Sequence, residues 1–162
     1  MKILVTGASG LIGSALTARL TDAGHEVARL VRSPPNPERR EIPWDPAAAR
    51  LDAAALEGFD AAVHLAGESV AQGRWTEAKK RRIRSSRVQG TRLLAETLAR
   101  LSQPPKILVS ASAIGYYGDQ GDQVLDEGSP PGSGFLADVC RQWEAAADPA
   151  REAGIRVVHP RI

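Results

Sequence analysis

Short apolar runs alternate with stretches of helical period along this chain. Lys2 to Val5 (KILV) predicts a buried strand entering a turn at Thr6-Gly7. From Leu11 to Ala23, Ile12, Leu16 and Leu20 fall on one helical face, and Gly24 ends the helix. HEVARLVR predicts a second strand, SPPNPERR a proline-rich loop, and EIPWD a short third strand. The alanine-rich PAAARLDAAALEG predicts a short helix stopping at Gly58, and FDAAVHLAG a strand running into a glycine turn.

Trp75 to Leu101 is the longest helical candidate, with Ile83, Arg87, Gly90, Leu94, Leu98 and Leu101 near one face. PPKILVSASA predicts another buried strand, followed by the long polar loop GDQGDQVLDEGSPPGSG. Leu136, Val139, Cys140, Trp143 and Ala147 share one face of a helix running to about Ala153, and GIRVVHPRI predicts a final strand. Strands alternating with helices imply an α/β domain: a parallel sheet with right-handed crossovers and helices on both faces.

Composition narrows the class. Apolar content of 43% and charged content of 25% over 162 residues suit one ordinary globular domain. No apolar run approaches the roughly 20 residues needed to span a bilayer, and MKILVTG lacks the apolar region of a secretory signal. A single cysteine, Cys140, excludes an internal disulfide and fits a reducing compartment, so the expectation is a cytoplasmic protein without a membrane partner. A net charge of +2 argues against nucleic acid. The densest basic run, KKRRIRSSR from Lys79 to Arg87, spreads around its helix and lacks interleaved aromatics beyond Trp75, the pattern of a solvated face or of one turned toward an anionic substrate or the cofactor.

The candidate chemistry begins in TGASGLIG. Gly7, Gly10 and Gly13 follow a strand and open a helix, with Ser9 inside the turn. The first glycine permits the turn, the second allows backbone to approach a pyrophosphate, and the third allows close helix–strand packing. The helix N-terminus offers free N–H groups to an anion. NAD sites place an acidic residue at the end of the second strand, about 20 residues beyond the turn, to accept from the ribose 2′-hydroxyl. Here Arg32 and Ser33 stand instead. Arginine suits a 2′-phosphate through a forked, charge-assisted contact, so NADP(H) is expected over NAD(H).

TGASGLIG, VHLAG and SASAIGYYGD resemble the extended short-chain dehydrogenase/reductase superfamily, the relatives of nucleotide-sugar epimerases and dehydratases. The ordered set EIPWDP, VHLAGE, RWT, SRVQGTRLL, SASAIGYYGD and GFLADVCRQWE is similar to an epimerase-like atypical subfamily of that group. The resemblance implies a Rossmann-type doubly wound parallel sheet over residues 1–162, with NADP(H) across the C-terminal strand ends. It also implies a smaller C-terminal substrate domain that this sequence does not include. By resemblance, Gly7, Gly10 and Gly13 match the pyrophosphate turn, with Leu11 and Ile12 at the helix start and Arg32 at the adenosine-phosphate position. Trp44 and Asp45 match the strand end near adenine, and Leu65, Ala66 and Gly67 the turn beneath the cofactor ribose. Ser112 matches the hydroxyl that binds the substrate oxygen, and Tyr117-Gly118 the pair that follows it, with one extra residue in the loop.

The sequence also departs from that pattern. The YxxxK acid–base pair falls on Leu136 and Cys140, or with a one-residue shift on Phe135 and Val139, and neither pair transfers protons in the usual way. An expected asparagine is Arg87. Tyr116 and Tyr117 flank the expected pocket and are the candidate proton donors, given a cation such as an inward-pointing Arg87. Cys140 and His64 read as core residues, and Asp119, Asp122, Asp126 and Glu127 as a polar loop without metal-ligand spacing. The expectation is an NADP(H)-dependent oxidoreductase or epimerase-like protein acting on an unidentified small molecule. The rival is a non-catalytic NADP(H)-binding sensor or interaction protein; in either case an exposed edge strand invites a homodimer.

Overall fold

The computed structural model describes residues 1–162, and its centre is a sheet whose strands bury both faces. Strands β1 (Lys2–Thr6), β2 (Glu26–Val31), β3 (Glu41–Asp45), β4 (Arg50–Leu51), β5 (Ala61–His64), β6 (Ile107–Ser110) and β7 (Arg156–Val158) take the order β4-β3-β2-β1-β5-β6-β7. All pairs are parallel except β3–β4. Leaving out β4, this is the doubly wound order whose connections reverse between β1 and β5.

The helices are α1 (Leu11–Asp22), α2 (Glu77–Ala99), α3 (Phe135–Ala145) and α4 (Asp148–Glu152). Alternation along the strands sorts their side chains between the two faces. Ile3, Val5, Val27 and Ala61 form the smaller cluster, with Leu20 of α1 packed on it. Leu4, Leu30, Ala62 and Leu108 join Leu94, Ala95 and Leu98 of α2 and Ala147 and Ala150 beside α4 in the larger core. Helices therefore cover both faces, as the alternating pattern predicts.

Two expected elements differ. Residues 46–58 do not form a helix: Asp45 Oδ1 accepts from the N–H groups of Ala47 and Ala48, turning the chain into the antiparallel β3–β4 hairpin. Only a 3-10 turn, Ala54–Leu56, follows, with Leu56 fully buried against the larger core. Tertiary burial of Trp44 and Leu56 thus overrides alanine's helix preference. The expected helix to Ala153 is two helices, because Pro149 in the first turn of α4 provides no N–H to continue the ladder from α3. No helix is long and apolar enough to cross a membrane.

Leu98 lies on α2 with no exposed surface and belongs to the larger core. Leu98→Ala is expected to destabilise the fold by about 3 kcal/mol. Urea denaturation checks this, and a loss below ~1 kcal/mol would contradict the packing described.

Candidate functional site

The turns after β1 and β5 meet at the reversal point of the sheet. Gly7 takes φ +67°, and a Cβ there would lie 2.7 Å from the Leu65 carbonyl carbon, so only glycine fits. A Cβ on Gly13 would lie 2.1 Å from the Gly7 oxygen, which is why α1 can pack onto this turn. Gly10 N–H donates to Gly7 O at 3.0 Å and closes the loop.

Thr6 ties the two turns together. Its Oγ1 accepts from the N–H groups of Leu65 and Ala66, each at 3.1 Å. With both lone pairs engaged, the hydroxyl donates to His64 Nδ1 at 2.7 Å, which puts the ring proton on Nε2. His64 is fully buried, its Nε2 has no partner, and burial pulls its pKa down to about 4. It is a neutral core histidine that shapes the turn. Its ring sits edge-on to Trp44, and both rings face Gly90 of α2.

A groove of about 1010 Å³ opens over these turns. Gly7 through Gly10, Arg32 and Ser33, Trp44 and Asp45, and Leu65 through Gly67 all line it, so elements distant in sequence converge on one surface. Leu11, Ile12 and Gly13 lie at the start of α1, where the first turn has neither a side-chain cap nor an acidic residue. This helix end offers unopposed donors to an anion. Trp44 presents only an edge to the groove, because most of the ring is in the core.

Several polar groups along the groove are already engaged. Asp45 accepts from Arg50 Nη2 at 3.0 Å, and this contact lowers its carboxyl pKa. Glu68 takes Lys79 Nζ at 2.7 Å, which holds its carboxyl below the ordinary value. Lys79, part of the basic run expected to be solvated, is therefore buried, whereas Arg82 and Ser85 of the same run line the groove. Arg87 does point inward. Its Nη1 donates to the carbonyls of Glu68 at 2.9 Å and Ile83 at 3.2 Å, and its guanidinium lies over the Trp143 ring. It pins the β5–α2 loop, and its donors go to those carbonyls rather than to either tyrosine.

The cation beside the tyrosines is Arg161. Its Nη1 donates to Tyr117 Oη at 2.7 Å, its Cζ lies 3.5 Å from the Tyr116 ring centroid, and Nε and Nη2 grip Glu144 at 2.9 and 3.0 Å. Ser112 Oγ donates to Glu144 Oε1 at 2.6 Å, and Ser112 pairs with Arg161 in an isolated parallel bridge. Burial alone would raise the Glu144 pKa, but the Arg161 and Ser112 contacts outweigh it and leave the carboxyl below its ordinary value. Ser112, Tyr116 and Tyr117 thus form one cluster, yet none lines the groove, and Ser112 is only 3% exposed. Arg161 lies 44 residues from Tyr117, so only the apposition of the β6 and β7 ends reveals the contact. Leu136 packs beside Gly115, and burial pushes the Cys140 thiol upward, so neither supplies a proton relay.

The model of the NAD dependent epimerase/dehydratase family matches residues 3–158. The chain belongs to that family. An epimerase family protein of Mycobacterium bovis is 45% identical over 157 residues, covering 96% of this chain and 51% of the relative. The crystal structure of a nucleoside-diphosphate sugar epimerase from Corynebacterium glutamicum superimposes with a TM-score of 0.84 at 44% identity, covering 99% of this chain and 33% of that one. The human epimerase family protein SDR39U1 (isoform 2), solved with NADPH, gives a TM-score of 0.82 at 35% identity, covering 99% of this chain and 53% of that one. The chain therefore spans about half the length of the curated relatives it matches.

The lowered His64 pKa has a testable sign. The unfolded state takes up a proton below about 6.5, whereas the folded state resists until about 4. Stability is present in full above that window and is lost as pH falls through it, by up to about 3 kcal/mol. Urea denaturation from pH 7.5 to 4.5 should show this loss, and His64→Gln should flatten it. Equal slopes in both proteins would mean that His64 does not carry it.

Proposed function

We propose that this chain is the NADP(H)-binding part of an epimerase-family oxidoreductase whose active site lacks the YxxxK pair. The observation that carries the reading is the convergence of the glycine turn, the Leu65–Gly67 turn and the unpaired Arg32 on one groove at the reversal point of the sheet. The first turn of α1 takes the pyrophosphate. Leu65, Ala66 and Gly67 support the ribose, Trp44 and Asp45 border adenine, and Arg32 and Ser33 hold the 2′-phosphate. NADPH in the structure of the human relative supports the phosphorylated cofactor.

When bound, the cofactor supplies or accepts a hydride at the nicotinamide C4. The residues of the chain handle the accompanying proton. Tyr117 Oη accepts from Arg161, which leaves its own O–H free to donate. Tyr116 is held as a stacking platform under the guanidinium. Ser112 is the substrate contact once its hydroxyl leaves Glu144. The substrate is a small carbonyl or alcohol compound of unassigned identity.

A second reading has its own support. Ser112 is buried with its hydroxyl engaged by Glu144, and by resemblance the acid–base positions fall on Leu136 and Cys140, or on Phe135 and Val139, neither a proton-transferring pair. These features suit an NADP(H) binder that senses or signals without turnover.

Thermal denaturation and kinetics separate the two. NADPH at about 100 times its Kd should raise the melting temperature by about 5–10 °C, and Arg32→Ala should remove most of that rise. Steady NADPH oxidation across a carbonyl panel, lowered about 100-fold or more by Tyr117→Phe and by Ser112→Ala, supports the enzyme. Tight binding without turnover on any carbonyl supports the sensor.

A further inference from the structure

Beside Arg32, two further arginines, Arg29 and Arg39, line the adenosine end of the groove. We propose that Arg39 is a second anchor for the 2′-phosphate, presented by a preset turn between β2 and β3; this rests on the NADP(H) reading above.

The turn is built by local chemistry. Asn36 Oδ1 accepts from Glu38 N–H at 2.9 Å and caps the 3-10 turn Pro37–Arg39. Pro37 needs no donor at the first position, and Asn36 N–H donates to Glu41 Oε2 at 2.8 Å. Arg40 leaves the turn in the left-handed region at φ 51°. From β2, Arg29 Nη1 donates to the Arg39 carbonyl at 2.9 Å, and Arg29 N–H to the Arg40 carbonyl at 3.0 Å. The backbone around Arg39 is thus tied down.

The two adjacent arginines then part. Arg40 turns away and pairs with Glu26 at 2.8 Å. Arg39 lines the groove with Arg32 and Ser33, and neither arginine side chain makes a hydrogen bond or ion pair within the chain. Both acids lining this end already accept elsewhere, Glu41 from Asn36 and Asp45 from Arg50 and two backbone N–H groups. Three arginines, Arg29, Arg32 and Arg39, line this end beside two carboxylates, and one of these, Asp45, is already paired with Arg50, so the charge there is net positive. A phosphate monoester carries up to two charges and three acceptor oxygens, so it can receive both forks at once. A 2′-hydroxyl offers neither the charge nor the acceptors. Arg39 therefore discriminates between the two cofactors and does not simply add general affinity.

Isothermal titration calorimetry with 2′,5′-ADP and 5′-ADP as probes, alongside NADPH and NADH, tests the assignment. Arg39→Ala should weaken 2′,5′-ADP and NADPH about tenfold or more and leave 5′-ADP and NADH within about twofold. Arg39→Lys should restore only part of the loss, because a point charge cannot reproduce the fork. An equal loss for both ligand classes, or none, overturns the proposal. A preference for phosphorylated ligands that depends on Arg32 but not Arg39 overturns this proposal alone. A wild-type protein without that preference overturns the NADP(H) reading and this proposal with it.

Discussion

At the centre of the sheet, the turns leaving β1 and β5 touch so closely that a single added carbon at Gly7 would collide with the Leu65 backbone. Thr6 holds this contact by accepting two N–H groups from the opposite turn while donating to buried His64. The groove exists because of this approach. Parallel strands with crossovers of one hand diverge at the reversal point, and their C-terminal turns are left to line the gap. Gly13 lets α1 close onto the first turn and bring its free N–H groups to the groove floor. Gly7 and Gly13 are required at their positions by close backbone approach, and not by the motif as a string.

The disposition of charge separates scaffold from ligand surface. Lys79 and Glu68, Arg87 and two carbonyls, and Arg161 with Glu144 are each internally satisfied, and they fix the β5–α2 loop and the ends of β6 and β7. Pairing of this kind is what permits charges to be buried at all. Arg32 and Arg39 have no such partner and face the groove. Unpaired cations beside carboxylates that are already engaged leave an electrostatic vacancy whose complement is an anion.

The proton-handling side differs in character. No tyrosine or lysine lies on α3, and the nearby hydroxyls are organised around Arg161 and Glu144. That network ties the isolated bridge between Ser112 and Arg161 to the end of the 3-10 turn Ile114–Tyr117, so its first consequence is mechanical. The tyrosine hydroxyl there has a guanidinium as its partner, and the serine hydroxyl a carboxylate.

Local pattern determined much of this protein. The apolar strands, α1 and α2, and the glycine turn were all legible, because strand burial, helical period and turn chemistry act over a few residues. The family likeness rested on such local strings too. Residues 46–58 misled, since alanine content speaks for a helix while Asp45 capping and Leu56 burial impose a hairpin and a 3-10 turn. Tertiary structure alone decided that Arg161, and not Arg87, is the cation beside Tyr117, that Lys79 is buried, and that Arg39 shares a groove with Arg32. Those outcomes depend on which side chains meet across crossovers, where sequence separation carries no information about distance.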